Sequence, residues 1–151
     1  MAVTISVPQN YGYVILGTIV GNFVANILLS GNVMKARKQY NVAYPNLYAV
    51  PGFHKEADAF NRVQRGHQHM MEVWPSFCIM NLIGGLKYPL ACAAYGLINA
   101  AGSVLYQIGY MDTEIDVAKA RYAKGGMIQY IGTFGSLYAT ISLAGSMIGW
   151  W

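Results

Sequence analysis

Residues 65–86 read RGHQHMMEVWPSFCIMNLIGGL, and this stretch decides the fold. Its second part, from Val73 to Leu86, carries no charge but is too short to cross a bilayer by itself. A helix of about 20 predominantly apolar residues is needed to span the hydrocarbon core. The stretch reaches that length only if the helix continues backward from Glu72 through Arg65. The sequence therefore predicts a membrane helix that carries ionisable side chains with it.

Three further stretches without charge flank this helix. They cover residues 1–34, 88–111 and 125–151, and each is long enough to cross a bilayer unaided. Charged residues make up 11% of the chain, whereas soluble domains carry about 25%. We therefore predict a single domain over residues 1–151, an all-α integral membrane protein. It would be a four transmembrane helix bundle, with helices at about residues 11–34, 57–86, 89–111 and 125–150.

The basic residues are distributed unevenly between the two ends of this predicted bundle. Lys87 alone lies in the turn between the second and third helices. The others lie in or beside the two long connections: Lys35, Arg37, Lys38, Lys55, Arg62, Arg65, Lys119, Arg121 and Lys124. Because basic residues accumulate on the cytoplasmic side of membrane proteins, both long connections are predicted to face the cytoplasm.

A polar stripe is predicted on the second helix. At 100° per residue, Arg65, His69 and Glu72 fall within about 40° of each other, whereas His67 points about 200° away from Arg65. A charged residue at the centre of a bilayer costs about 2.5–3.5 kcal/mol on insertion scales, so such residues usually mark a functional site. The alternative is a structural Arg65–Glu72 pair that holds helices together.

The third helix offers a second polar stripe. Its members follow the spacing i, i+4, i+7, i+11: Asn99, Ser103, Tyr106 and Tyr110. A phenol placed below the interface needs a hydrogen-bond partner. Three cations, Arg37, Lys38 and Arg121, stand at the same end of the bundle, where lipid headgroup contact is the simpler role. Together the stripes and cations indicate a pocket for a small anionic, partly zwitterionic ligand, because guanidinium groups bind carboxylates in fork geometry.

Other kinds of site find little support. His67 and His69 face opposite ways on a helix, and His69 with Glu72 would supply only two metal ligands, so no metal is expected. The sequence shows no Ser-His-Asp arrangement, phosphate loop or redox pair of cysteines. It also lacks the basic and aromatic surface expected of a nucleic-acid-binding protein.

The same residues carry a resemblance to a known family. The run FNRVQRGHQHMMEVWP at residues 60–75 resembles the signature of the MAPEG proteins, the membrane-associated proteins in eicosanoid and glutathione metabolism. Three other segments are similar to the type-three microsomal glutathione transferases: YGYV at 11–14, KARKQYNVAYPNLY at 35–48 and VLYQIGY at 104–110. The four segments occur along this chain in the same order as in the family.

The resemblance implies a homotrimer in the endoplasmic reticulum, with glutathione bound between neighbouring subunits near the cytosolic interface. The residues that match the family's glutathione contacts are Arg37, Arg65, His67, His69, Glu72, Tyr106 and Tyr110. A catalytic cation before the last helix would stabilise the glutathione thiolate, and this matches Arg121, with Lys124 as the second choice. Lys38 matches a further catalytic cation that serves the lipid substrate.

The activity implied is that of a glutathione S-transferase with glutathione-dependent peroxidase activity. Its second substrate would be a lipophilic electrophile or lipid hydroperoxide that enters from the membrane lipid. The chain departs from the family pattern in two positions of the signature, because His69 replaces an Asn of many relatives and Val73 replaces a Tyr of some. Residues 111–123 are also longer and more acidic than usual, which affects the match of Arg121.

Two other functions fit the same sequence. One is a non-enzymatic lipid-binding or scaffold protein on the same fold, which would not need to retain a glutathione pocket. The other is a small channel or transporter in which Arg65 and Glu72 line a path. Glutathione binding separates the enzyme from the first alternative, and flux after reconstitution tests the second.

Overall fold

The computed structural model describes residues 6–150 and is built from helices. The first helix, α1, runs over Tyr11–Gln39 and contains a π-helical turn at Leu16–Gly21. The others are α2 (Ala57–Gly84), α3 (Pro89–Met111), the short α4 (Val117–Ala120) and α5 (Gln129–Met147), which follows a 3-10 turn at Ala123–Ile128. Over residues 6–150 the only extended pairing is an isolated bridge between Pro51 and His54.

The helix ends differ from the predicted ends in four places, one of which is the end of the last helix at Met147 and not at residue 150. Helix α1 continues to Gln39, five residues beyond the predicted end at residue 34. Helix α2 ends at Gly84 and not at residue 86, since a turn begins at Gly85. The last helix begins at Gln129 and not at residue 125, because Lys124 and Gly125 adopt left-handed conformations with φ of 55° and 80°. A right-handed helix cannot pass through two such residues.

Two of the helices, Tyr11–Gln39 and Pro89–Met111, are long and apolar enough by length and composition to cross a membrane. The other two long helices carry more polar residues. Helix α2 nevertheless continues without interruption from its polar half through Pro75 into its apolar half. The backward extension predicted for this helix is therefore present as one continuous element of 28 residues.

A buried polar network joins the four long helices. The Asn81 amide on α2 donates to the Thr18 hydroxyl of α1 at 2.7 Å, and its oxygen accepts from Ser136 of α5 at 2.7 Å. Asn22 donates to the carbonyl of Gly96 on α3 at 3.2 Å. Because buried amides are costly unless they are hydrogen-bonded, the network specifies which helix faces meet.

Close backbone approach accompanies this network. A Cβ atom built on Gly17, the first member of the Gly17-x-x-x-Gly21 pattern, would lie 2.5 Å from the carbonyl oxygen of Ala93 on α3. One built on Gly66 of α2 would lie 2.6 Å from Cγ of Gln107. Only glycine leaves room for contacts of this kind between helices.

Gln107 fixes the end of α3 that carries the predicted site. Its amide nitrogen donates to the carbonyls of Leu29 on α1 at 3.1 Å and Val63 on α2 at 3.2 Å. Its amide oxygen accepts from Asn32 at 2.9 Å. The side chain is fully buried, and both its amide nitrogen and its amide oxygen are hydrogen-bonded to protein groups. This holds the neighbouring Tyr106 in register with α2.

Candidate functional site

An exposed ion pair forms the centre of the candidate site. Nη1 of Arg65 lies 2.8 Å from Oε1 of Glu72, two turns further along α2. The two side chains are 38% and 46% exposed in the single chain. The pair presents one cation and one carboxylate side by side on the outer surface of the bundle, at the boundary between the polar and apolar halves of α2.

Three aromatic side chains lie buried next to this pair. The His69 ring stacks on Tyr106 of α3 with centroids 4.1 Å apart and an interplanar angle of 16°. Tyr106 in turn lies 5.0 Å from Tyr110. Asn99 and Ser103 continue the same face of α3 and are also buried. The two stripes expected from the sequence thus meet where His69 stacks on Tyr106, whereas Asn99 donates to Thr133 of α5.

Gln129, the first residue of α5, is a member of this cluster that the sequence did not indicate. It is 2% exposed and lies beside His69. Neither of its amide atoms meets hydrogen-bond geometry within the described residues, and the same holds for Nε2 of His69. Its proximity to His69 depends on how α5 packs against α2, so the spacing of residues within α5 does not predict it.

Arg37 and His67 lie on another face of the bundle. They line a cleft of about 240 Å³ between α1 and α2, together with Ser30, Val33, Met34, Tyr44 and Gln64. Nε2 of His67 lies 2.9 Å from the Asn26 amide oxygen of α1. The guanidinium of Arg37 donates to the Asn46 carbonyl at 2.8 Å and stacks over Tyr44 at 4.2 Å.

The seven side chains matched to glutathione therefore fall into two sets within one chain. The face that we call the pair face carries Arg65, His69, Glu72, Tyr106 and Tyr110. The face that we call the cleft face carries Arg37 and His67. The division follows from helix geometry, because residues two apart on α2 point in nearly opposite directions.

The three cations matched to catalysis have different surroundings. Lys38 is exposed and borders a cavity of about 350 Å³ that Arg37 also lines. Lys124 binds Asp112 through an ion pair of 3.2 Å. Arg121 is exposed and lies close enough to His69 to interact electrostatically. Because Lys124 is already paired with Asp112, Arg121 is the cation that is available to a ligand on the pair face.

Arg62 is a second residue whose role the sequence did not indicate. It lies on α2 and is 5% exposed. Its guanidinium donates to three carbonyls: Tyr110 at 2.8 Å, Thr113 at 3.5 Å and Ile115 at 2.6 Å.

Within residues 6–150, no group of three or more His, Cys, Asp or Glu side chains is placed to hold a metal ion.

Over residues 6–150 these features define an all-helical protein with two helices apolar enough to cross a membrane, and with a charged pair and a buried aromatic cluster at one end. A comparison with family models narrows the class. The model described as the MAPEG family matches residues 15–142, which is most of the chain. The chain belongs to the MAPEG family, a membrane-associated family that includes glutathione transferases and peroxidases.

Proposed function

We propose that this protein is a membrane-bound glutathione S-transferase with glutathione-dependent peroxidase activity, of the type-three microsomal kind. It would activate the glutathione thiolate and add it to lipophilic electrophiles, or use it to reduce lipid hydroperoxides. Membership of the MAPEG family is consistent with both reactions. The observation that carries the proposal is the exposed Arg65–Glu72 pair on a helix of a membrane-associated protein.

An ion pair facing hydrocarbon would be costly, so the pair face requires a polar partner. The amino-acid end of glutathione carries one carboxylate and one ammonium group. Arg65 would bind the carboxylate in fork geometry, and Glu72 would accept from the ammonium. Within the single chain the two side chains pair with each other at 2.8 Å. A zwitterionic ligand could replace each side chain as the partner of the other. A fatty acid could not, because it carries no ammonium group for Glu72 to accept from.

The two-face division supports a site completed by a second copy of the chain. A ligand on the pair face cannot also reach the cleft face, since α2 itself lies between them. In a cyclic homotrimer each interface is heterologous, so the pair face of one subunit can meet the cleft face of the next. Glutathione bound there would contact Arg65 and Glu72 from one subunit and Arg37 and His67 from its neighbour.

Four membrane crossings are part of the proposal. Helices α1 and α3 have the required length and hydropathy. Helix α5 presents a row of exposed apolar side chains that suits contact with lipid: Ile131, Phe134, Tyr138 and Ile141. The basic end would face the cytosol, with the endoplasmic reticulum as the membrane. A lipophilic electrophile or hydroperoxide would then reach the site from the bilayer.

The chemistry rests on the thiolate. A free thiol has a pKa near 8.5 and is largely protonated at pH 7. The Arg121 guanidinium would favour the anion, and Lys38 would act on the lipid substrate. In conjugation the sulfur attacks an electrophilic carbon and forms a thioether as the leaving group departs. With a hydroperoxide the sulfur takes one oxygen, the alcohol leaves after protonation, and a second glutathione converts the sulfenic acid to the disulfide and water.

The test is a glutathione titration of the purified protein in detergent, followed by thiolate absorbance in the near ultraviolet. The same preparation then receives an aryl halide or a lipid hydroperoxide. Saturable thiolate formation with turnover of either substrate supports the enzyme. Absence of both glutathione binding and the thiolate signal would exclude it and favour a lipid-binding protein on the same fold. The Glu72→Gln variant, which keeps size but loses charge, should bind glutathione more weakly.

A further inference from the structure

Arg62 is a buried cation whose charge is compensated by backbone alone. Its three hydrogen bonds go to carbonyl oxygens, and it forms no ion pair with a carboxylate in the part of the chain that the structure describes. Burying a charge is costly unless it is fully hydrogen-bonded. The three carbonyls therefore have to stay in place around the guanidinium, and the guanidinium in turn holds them.

The carbonyls belong to the end of α3 and to the segment that follows it. The backbone becomes extended at Asp112, with φ of −77° and ψ of 99°, so the last carbonyls of α3 have no helical partner. A cation at a helix C-terminus also interacts favourably with the helix dipole. Arginine suits this place better than lysine, because its planar fork donates in several fixed directions at once.

This contact reaches the candidate site through Tyr110. The backbone oxygen of Tyr110 accepts from Nε of Arg62, and the Tyr110 ring packs 5.0 Å from Tyr106. Ile115, whose carbonyl accepts the shortest of the three bonds, packs against the buried cluster that Tyr106, Tyr110 and Ala120 form. The chain then leads directly to Arg121. A single buried side chain thus fixes the path from the two phenols to the candidate thiolate-stabilising cation.

We propose that Arg62 is a positioning residue, which holds the segment of residues 112–120 so that Tyr110 and Arg121 face the same bound thiol. The proposal rests on the glutathione function proposed above. Arg62 itself touches neither glutathione nor the second substrate. Its effect is on the alignment of Arg121 with the thiol, so its loss should reduce thiolate formation more than glutathione binding.

The experiment compares Arg62→Met, which keeps the approximate length but removes all donors, with Arg62→Lys, which keeps the charge and one point of donation. Lys55→Met is the matched control, because Lys55 is an exposed cation just before α2 whose side chain forms no hydrogen bond or ion pair with residues 6–150. Hydrogen exchange without ligand is measured first. In Arg62→Met the amides of residues 112–122 should exchange about tenfold faster, with a smaller change in Arg62→Lys and none in the control.

The second measurement is the thiolate absorbance per bound glutathione at saturation. A fold that is merely weakened lowers binding and thiolate together, and their ratio stays constant. The positioning role predicts a ratio several-fold below wild type in Arg62→Met, partly restored in Arg62→Lys. An unchanged ratio, or unchanged exchange of residues 112–122, overturns the proposal. If the wild type binds no glutathione, the proposed function fails, and the exchange measurement alone decides whether Arg62 holds the segment. Should Arg62→Met not fold, Arg62→Lys alone carries both comparisons.

Discussion

Mixing two defective variants should restore glutathione binding. Arg37→Ala removes a cation from the cleft face, and Arg65→Ala removes one from the pair face. If each site forms between the pair face of one subunit and the cleft face of the next, a mixed oligomer contains some interfaces where both intact residues meet. A site contained within one chain would always lack one of them, whichever partner it had.

The size of each effect can be worked out from the geometry. Losing one partner of a hydrogen-bonded charge pair at an interface costs about 2–5 kcal/mol. Because Arg65 is 38% exposed in the single chain, the lower end applies, so each variant should weaken glutathione binding about thirtyfold. In a randomly assembled ring from equal amounts of both variants, half the cleft faces and half the pair faces are intact. About one quarter of the sites should therefore bind with wild-type affinity.

The assay is a glutathione titration of three preparations: each variant alone and an oligomer assembled by co-expression, with two different tags used to purify the mixed species. Mixing the two purified variants without exchange of subunits serves as the control and should show no tight sites. Every trimer that contains both variants has one interface of three where both intact residues meet, so a tight phase of about one third amplitude in the purified mixed species supports the shared site. Its complete absence, with both variants folded and mixed, would refute the reasoning that assigns the two faces to different subunits.

Three further predictions concern catalysis and packing. Arg121→Ala should lose most thiolate absorbance, whereas Lys124→Ala should lose little, because Asp112 holds Lys124; equal thiolate loss would contradict this assignment. Gly66→Ala should lower the free energy of unfolding by about 1–3 kcal/mol, because a Cβ there meets Gln107; Gly31→Ala, whose Cβ would have nothing within 4 Å, is the control in a thermal unfolding series. Asn81→Ala should lower the free energy of unfolding by about 2 kcal/mol or more, because Thr18 and Ser136 lose their amide partner. An unchanged midpoint of thermal unfolding would show that the network contributes no stability.

The parts of the site that could be read from the sequence are those governed by the helical repeat. Arg65 and Glu72 are seven residues apart, so two turns of helix place them on one face whatever packs around them. The same repeat directs His67 to the far side of α2. The four polar positions of α3 share a face for the same reason. These placements required only that both segments be helical, which the hydrophobic runs already indicated.

The contacts that the sequence did not indicate depend on how separate elements meet. Arg62 reaches carbonyls 48 to 53 residues away, and backbone carbonyls carry no side-chain identity that a pattern could reveal. Gln129 lies beside His69 at the first residue of α5, four positions after the predicted start of that helix. The delay comes from the left-handed turn at Lys124 and Gly125, and lysine is an unusual residue at such a position.

The buried amide side chains differ in how completely they are hydrogen-bonded. Asn22 leaves only its oxygen without a partner in the described residues, whereas Gln129 leaves both amide atoms without one. Asn81 and Gln107 use both their donor and acceptor atoms within one chain, which is what a structural role requires. Neither amide atom of Gln129 meets full hydrogen-bond geometry within the described residues, although the side chain is as deeply buried. It lies beside His69, next to the face that carries the exposed ion pair. Three of the six buried side-chain atoms without a hydrogen-bond partner in the described residues belong to Gln129 and His69. A ligand and a second subunit are proposed to bind there, and those two partners would satisfy these atoms together.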